Sequence, residues 1–147
     1  MTTLAQNIPP GFIAVEDPAP GGKGFIALIG PLYRKDGGHG RPARWGFLAE
    51  GRHINPQHTV HGAMLAALAD TIMGETVYDA LKRETMCVTI SLDCQFIASA
   101  KLGEWVQGDA ELLKLGRNIA FVEAKLTAAE RLLLKASGSW AILHGKS

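Results

Sequence analysis

The densest group of chemically useful side chains runs from Asn55 through His61-Gly62 to Asp70. Gly62 opens an alanine- and leucine-rich stretch that reads as a helix. The first turn of a helix presents unpaired N–H groups and the positive end of the dipole. Glycine at that point lets a carbonyl oxygen come close to the backbone. This outlines a site for negative charge developing on oxygen, where losing one donor typically adds about 2.7–4 kcal/mol to a barrier. Asp70 lies eight residues on, within about 20° of Ala63 around the helix, on a face of small residues. A carboxylate on a packed face is costly unless paired or used. Two uses remain open, general base on a water or nucleophile forming a mixed anhydride; the base is preferred.

A distance then bears on assembly. Helix rise puts Gly62 and Asp70 about 12 Å apart, so both cannot reach one carbonyl at about 3 Å. If both act, each works with its counterpart on a second chain. Two such helices set antiparallel about a two-fold axis bring Gly62 of one chain near Asp70 of the other, twice. Thr89, on the polar face of its strand, can hold an attacking water beside Asp70. Asn55 reads as a loop turn residue and His61 as a buttress of the helix start. His53, His58 and His61 raise a metal question, but their spacing fits no compact ligand motif and no cysteine is near, so no metal is expected. No Gly-x-Ser-x-Gly occurs, and neither cysteine has a neighbouring histidine, which argues against a nucleophilic triad.

The elements that must position these residues follow from periodicity. Residues 62–81 form one long helix, with apolar positions at Leu65, Leu68 and Ile72 and small ones at Ala63, Ala66, Ala67 and Gly74; it is packed on both sides. Val88 to Phe96 alternates apolar and polar with a period of two. Three further strands are expected over 104–113, 119–126 and 132–143, with turns at Ala100–Gly103, Gly116–Asn118 and Ala128–Arg131. Consecutive strands with short turns suggest a four-stranded antiparallel meander. Before residue 60 the chain is rich in Gly and Pro, with strands expected at Phe25–Ile29 and Trp45–Leu48. Cys87 and Cys94 are seven apart in one strand, hence on opposite faces and not bridged. Their free thiols suggest a reducing compartment. The fold class is α+β, an antiparallel sheet wrapped around one long central helix.

Taken together, the motifs resemble those of hotdog-fold acyl-CoA thioesterases, in the branch typified by the phenylacetic-acid-degradation thioesterases. The likeness rests on Asn55, His61-Gly62 six residues on, and Leu68-Ala69-Asp70. It continues through Val88-Thr89-Ile90-Ser91-Leu92, Ser99 to Glu104 and Leu115-Gly116-Arg117-Asn118, covering residues 50–144. The first 45 residues carry only the weaker Gly30-Pro31-Leu32-Tyr33; they can cap the site or only the sheet. The resemblance implies a hotdog fold and hydrolysis of a short- or medium-chain or aromatic acyl-CoA. It implies catalytic Asp70, Gly62, Asn55, His61 and Thr89, with Asn55 polarising the thioester or placing water. A homodimer, often paired into a tetramer, is implied too. Coenzyme A enters as part of the substrate, with no further cofactor. Arg117 at the glycine hairpin, with Lys114 and Asn118, is the candidate for its phosphates, because arginine forks onto phosphate oxygens. Where the family often has a second glycine, this chain has Ala63, which keeps its N–H but adds a methyl.

Composition narrows the classes. With 147 residues, one domain is expected over the whole chain, and 15 basic against 14 acidic residues leave a net charge of +1. Without a basic run, nucleic acid is an unsuitable partner. No apolar run of about 18 residues suits a membrane span, and residues 1–7 do not read as a secretory signal, so a cytoplasmic location is expected. Two other readings compete: a hotdog dehydratase or hydratase with His61 partnering Asp70, and a non-catalytic acyl-CoA-binding module.

Overall fold

The structure is a computed structural model that describes residues 7–145. In chain order the elements are β1 (Ile13–Ala14), α1 (Phe25–Ile29), β2 (Tyr33–Lys35), β3 (Arg44–Leu48), α2 (Gly62–Ala80), β4 (Met86–Phe96), β5 (Trp105–Leu115), β6 (Ile119–Ala128) and β7 (Arg131–Leu143). The strands form one seven-stranded sheet in the order β1-β2-β3-β5-β6-β7-β4, antiparallel throughout. Helix α2 packs across its concave face, against β3, β5, β6, β7 and β4. The α+β arrangement is the expected one.

Its core follows from the two periodicities meeting. On α2, Leu68, Ile72, Met73 and Val77 are fully buried, the adjacent Ile72 and Met73 each lying four or five residues from Leu68 and Val77 on one face. Facing them, β6 turns Ala120, Val122, Ala124, Leu126 and Ala128 inward and the intervening residues outward. Gly74 makes room in the helix, since a Cβ there would stand 3.3 Å from the Trp140 indole nitrogen.

Three expectations are corrected. The four-stranded meander is a three-stranded one, β5-β6-β7; β4 pairs with β7 instead of β5, while β5 takes β3 as its other neighbour. The long helix carries the chain from β3 across the sheet, so β4 enters at the opposite edge. Second, Phe25–Ile29 is helix, not strand. A five-residue apolar run is ambiguous by period alone; here the Asp17 carboxylate accepts the Ala27 N–H in the first turn at 2.8 Å, a cap supplied from ten residues away. Third, β4 is not evenly alternating. The register against β7 shifts between Thr89 and Ser91, and this bulge at Ile90 reverses which residues face α2. Cys87 and Cys94 consequently both pack against the core, rather than on opposite faces. They remain free thiols, held apart by the strand between them.

Candidate active site

The first turn of α2 is set by its cap. His61 sits in extended geometry before Gly62, and its Nδ1 accepts the Ala63 N–H at 3.0 Å. Met64 and Leu65 N–H both reach the His61 carbonyl. The N–H that Ala63 was expected to keep open is therefore engaged. Among the described residues the Gly62 N–H has no acceptor. Any Cβ on Gly62 would lie 3.1 Å from the Phe96 ring, so glycine is matched to a neighbouring aromatic as well as to an open backbone.

The loop before the helix is fastened by side chains. Asn55 Oδ1 accepts the Gln57 and Thr59 N–H groups at 3.0 and 3.1 Å, and its Nδ2 donates to Thr59 Oγ1 at 3.0 Å. That is the turn role its type suggests. His58 takes a positive φ of 61° in the same loop. His53 is buried; its Nδ1 accepts the Glu50 N–H at 3.0 Å, and its Nε2 donates to the Ile29 carbonyl at 2.6 Å. Its own carbonyl accepts the His61 N–H at 2.7 Å. Sequence reasoning considered His53 only as a metal ligand; in the fold it fastens α1 to the start of α2.

Asp70 lies half-buried on α2. Thr89 Oγ1 donates to Asp70 Oδ1 at 2.7 Å, an alignment that depends on the bulge after Thr89. The pair opens onto a cleft of about 750 Å³. Trp45 and Trp140 contribute to its sheet side, while Val15, Pro18 and Ile26 close it from the amino-terminal segment. Segment 15–26 thus caps the site, the alternative the sequence left open. Met64, Leu68, Met73 and Phe47 are buried in the core and do not border the cleft, whereas Trp45 does. Trp140 was not singled out, though its position opposite Gly74 ties it to the same helix face.

Electrostatics separate the groups along the cleft. Burial raises the Cys87 thiol, with Glu75 and Asp70 adding to the effect, and its Sγ faces the Gly74 carbonyl at 3.6 Å. A thiol held protonated beside carboxylates is a poor nucleophile. Arg83 binds Glu75 at 2.6 Å and Asp79 at 2.7 Å, and Arg34 reaches the other Asp79 oxygen at 3.2 Å. These cations are neutralised within the chain.

The candidate phosphate-binding residues lie elsewhere. Arg117 and Asn118 form the β5–β6 turn, where their carbonyls accept from His144 Nε2 at 2.7 Å and the Ile142 N–H at 2.8 Å. Their side chains and Lys114 are exposed, and none borders the Asp70 cleft. Gly62 does not border it either. The chain therefore brings Asp70 and Thr89 together and leaves Gly62, His61 and the β5–β6 turn apart from them.

Comparison with known proteins bears on what this arrangement is. The family model of the thioesterase superfamily matches residues 57–135, which spans the helix start, Asp70, Thr89 and the β5–β6 turn. A Pseudomonas aeruginosa protein with the provisional name esterase PA0474 is 30% identical over 133 residues, covering 90% of this chain and 96% of its own. Mouse acyl-coenzyme A thioesterase 13 is 31% identical over 78 residues, 53% of this chain and 55% of that protein. Among solved structures, zebrafish thioesterase superfamily member 2 superposes with a TM-score of 0.73 at 24% identity, covering 82% of this chain and 88% of that one. The helix-wrapped sheet is thus a hotdog fold, its activity is that of a thioester hydrolase, and the chain belongs to the thioesterase superfamily.

Proposed function

We propose that the protein hydrolyses a short- or medium-chain or aromatic acyl-CoA, with Asp70 as general base and the Gly62 N–H of a second chain as oxyanion donor. The observation that carries this is the Thr89–Asp70 hydrogen bond of 2.7 Å at the wall of a cleft that two tryptophans help to line. Thr89 occupies one carboxylate oxygen and leaves the other for water. Asp70 takes a proton as that water attacks the thioester carbonyl. The oxyanion is received by the backbone donor, collapse expels the coenzyme A thiolate, and the proton passes to the leaving sulfur. In this reading His61 shapes the helix start and Asn55 holds the loop. Arg117, with Lys114 and Asn118, meets the coenzyme A phosphates at the exposed turn. The His61–Asp70 pairing that a hydratase would need is disfavoured by the His61 Nδ1 cap on Ala63.

The second chain follows from the separation of about 12 Å along the helix. Supporting it, β4 is an eleven-residue edge strand with Met86, Val88 and Ile90 exposed; a long apolar edge invites pairing with a copy of itself. We place the protein in the phenylacetic-acid-degradation branch, as a homodimer that pairs into a tetramer in the cytoplasm. No helix among the described residues is long and apolar enough to cross a membrane. The test is thiol release from a panel of short, medium and aromatic acyl-CoAs by the wild type and by Asp70→Asn. Release by the wild type and its loss in the variant is the expected result; equal release by both removes Asp70 from the mechanism. Sedimentation of active enzyme as a monomer would remove the second chain.

A further inference from the structure

The wall that closes the Asp70 cleft is built differently from the rest of it. Trp45 and Trp140 belong to the sheet, but Val15, Pro18 and Ile26 belong to a short excursion between β1 and β2. The last main-chain bond from β1 toward β2 is Val15 N–H to the Leu32 carbonyl, at 2.9 Å. Beyond it the excursion's own main-chain bonds are local turns, such as Gly22 N–H to the Ala19 carbonyl at 2.8 Å, and a side chain ties its two arms together. Asp17 accepts the Ala19 N–H and the Ala27 N–H, each at 2.8 Å. Those two bonds, with the Gly24 and Ile26 N–H groups also directed at it, hold its carboxyl below the usual range. A Cβ on Gly24 would lie 2.5 Å from that of Ala19, so the excursion closes tightly on itself. At its far end His53 holds the Ile29 carbonyl. Ile26 and Ile29 turn inward onto the core, while Phe25 and Leu28 face outward.

We propose that this wall sets the length of acyl chain the cleft accepts. Ile26 is the specificity residue where the chain ends, and Asp17 is the positioning residue that holds it there. The proposal rests on the thioesterase reading for the ligand being an acyl chain. Val15, Pro18 and Ile26 of the wall, with Trp45 and Trp140, give the cleft an apolar stretch beside its charged groups, so affinity grows with each methylene that leaves water along it and stops growing where the wall begins. The wall lies outside the sheet and α2, and Ile26 is only partly buried where it packs against the core, so changing it disturbs the core less than changing a fully buried residue.

The test uses S-alkyl-CoA thioethers from ethyl to dodecyl, which the enzyme cannot hydrolyse, with dissociation constants measured by calorimetry. For the wild type, affinity rises with chain length to a limit. Ile26→Ala moves the limit to longer chains and Ile26→Phe to shorter ones, with changes of about tenfold near the limit and none for the ethyl thioether. Asp17→Ala blurs the limit and also leaves the ethyl thioether unchanged, which a general loss of folding would not do. The proposal is overturned if the Ile26 variants change all lengths by one factor, or none, or if no thioether gains affinity over ethyl. A length profile that responds to Ile26 in a protein releasing no thiol from acyl-CoA would sink the hydrolase reading and leave the wall standing.

Discussion

The first turn of α2 and the turn that carries Asp70 differ in what one chain supplies. Around Asp70 the chain provides a hydrogen-bonded partner in Thr89, a cleft and a wall to close it. At the first turn it provides the reverse. His61 and its carbonyl take up the N–H groups of Ala63, Met64 and Leu65, and Gly62 is left with a donor and no cleft. In the proposed mechanism one end is a site lacking an oxyanion donor, and the other is a donor lacking a site. On that mechanism the difference makes the unit of function a pair of these ends, which a two-fold axis would join twice.

Breaking the Asp70 end gives the largest effect. Asp70→Asn keeps the shape and the acceptor for Thr89 but removes the base, so kcat falls by about 10³-fold, read as thiol release at saturating acyl-CoA. Breaking the other end needs a change that removes one N–H and little else. Gly62→Pro does this, because proline is tolerated at the first helical position and His61 already has the extended geometry, φ −60° and ψ 134°, that precedes proline. Gly62→Ala serves as its control, placing a Cβ against Phe96 but keeping the donor. We expect the proline variant to be slower than the alanine variant by about 10²-fold in kcat. Equal rates would remove Gly62 from the chemistry.

The two lesions can then be combined. In a mixed dimer of Asp70→Asn and Gly62→Pro chains, one site carries both lesions and the other carries neither. Random reassortment therefore restores about a quarter of wild-type activity from two nearly inactive proteins. No recovery after verified exchange would mean that Asp70 and Gly62 do not meet across chains. Thr89→Val, which removes only the hydroxyl that orients the carboxylate, is expected to lower kcat by about tenfold, with Thr89→Ser close to wild type.

The same comparison explains what could be seen in advance. The helix, its starting glycine and Asp70 were legible because a 3.6-residue period and a helix-start signal are local. The strands from Trp105 onward were legible for the same reason, since each alternates and is separated by a short turn. Strand pairing was not, because the neighbour of β4 is decided by where α2 delivers the chain and not by sequence proximity. Nor was the face of Cys87, which depends on one extra residue at Ile90. The amino-terminal wall stayed unread because its organising contact, Asp17 to the Ala27 N–H, spans ten residues of loop. The role of His53 stayed unread because both its ring partners are backbone atoms.

A last test lies away from both ends of α2 and measures how far their effects can be separated from ordinary stability. Arg131 reaches Glu104 at 2.7 Å, and Glu104 also accepts the Lys101 N–H, at 2.7 Å. These contacts, the Arg131 hydrogen bond foremost, lower the Glu104 pKa in the folded chain. A lowered folded pKa contributes stability that is fully present above the unfolded value and is lost as pH falls through the folded one. Both side chains are partly solvated, at 29% for Glu104 and 45% for Arg131, so the pair is screened and Arg131→Ala is expected to cost little at pH 7. Denaturant midpoints measured downward from pH 7 should show that difference shrinking below the ordinary glutamate pKa, 4.5. The acyl-CoA rate per folded molecule should not change. A loss of kcat in this variant as large as that in Thr89→Val would show that the starts of β5 and β7 and the Asp70 cleft are coupled, and the separation between the two halves of the site would have to be redrawn.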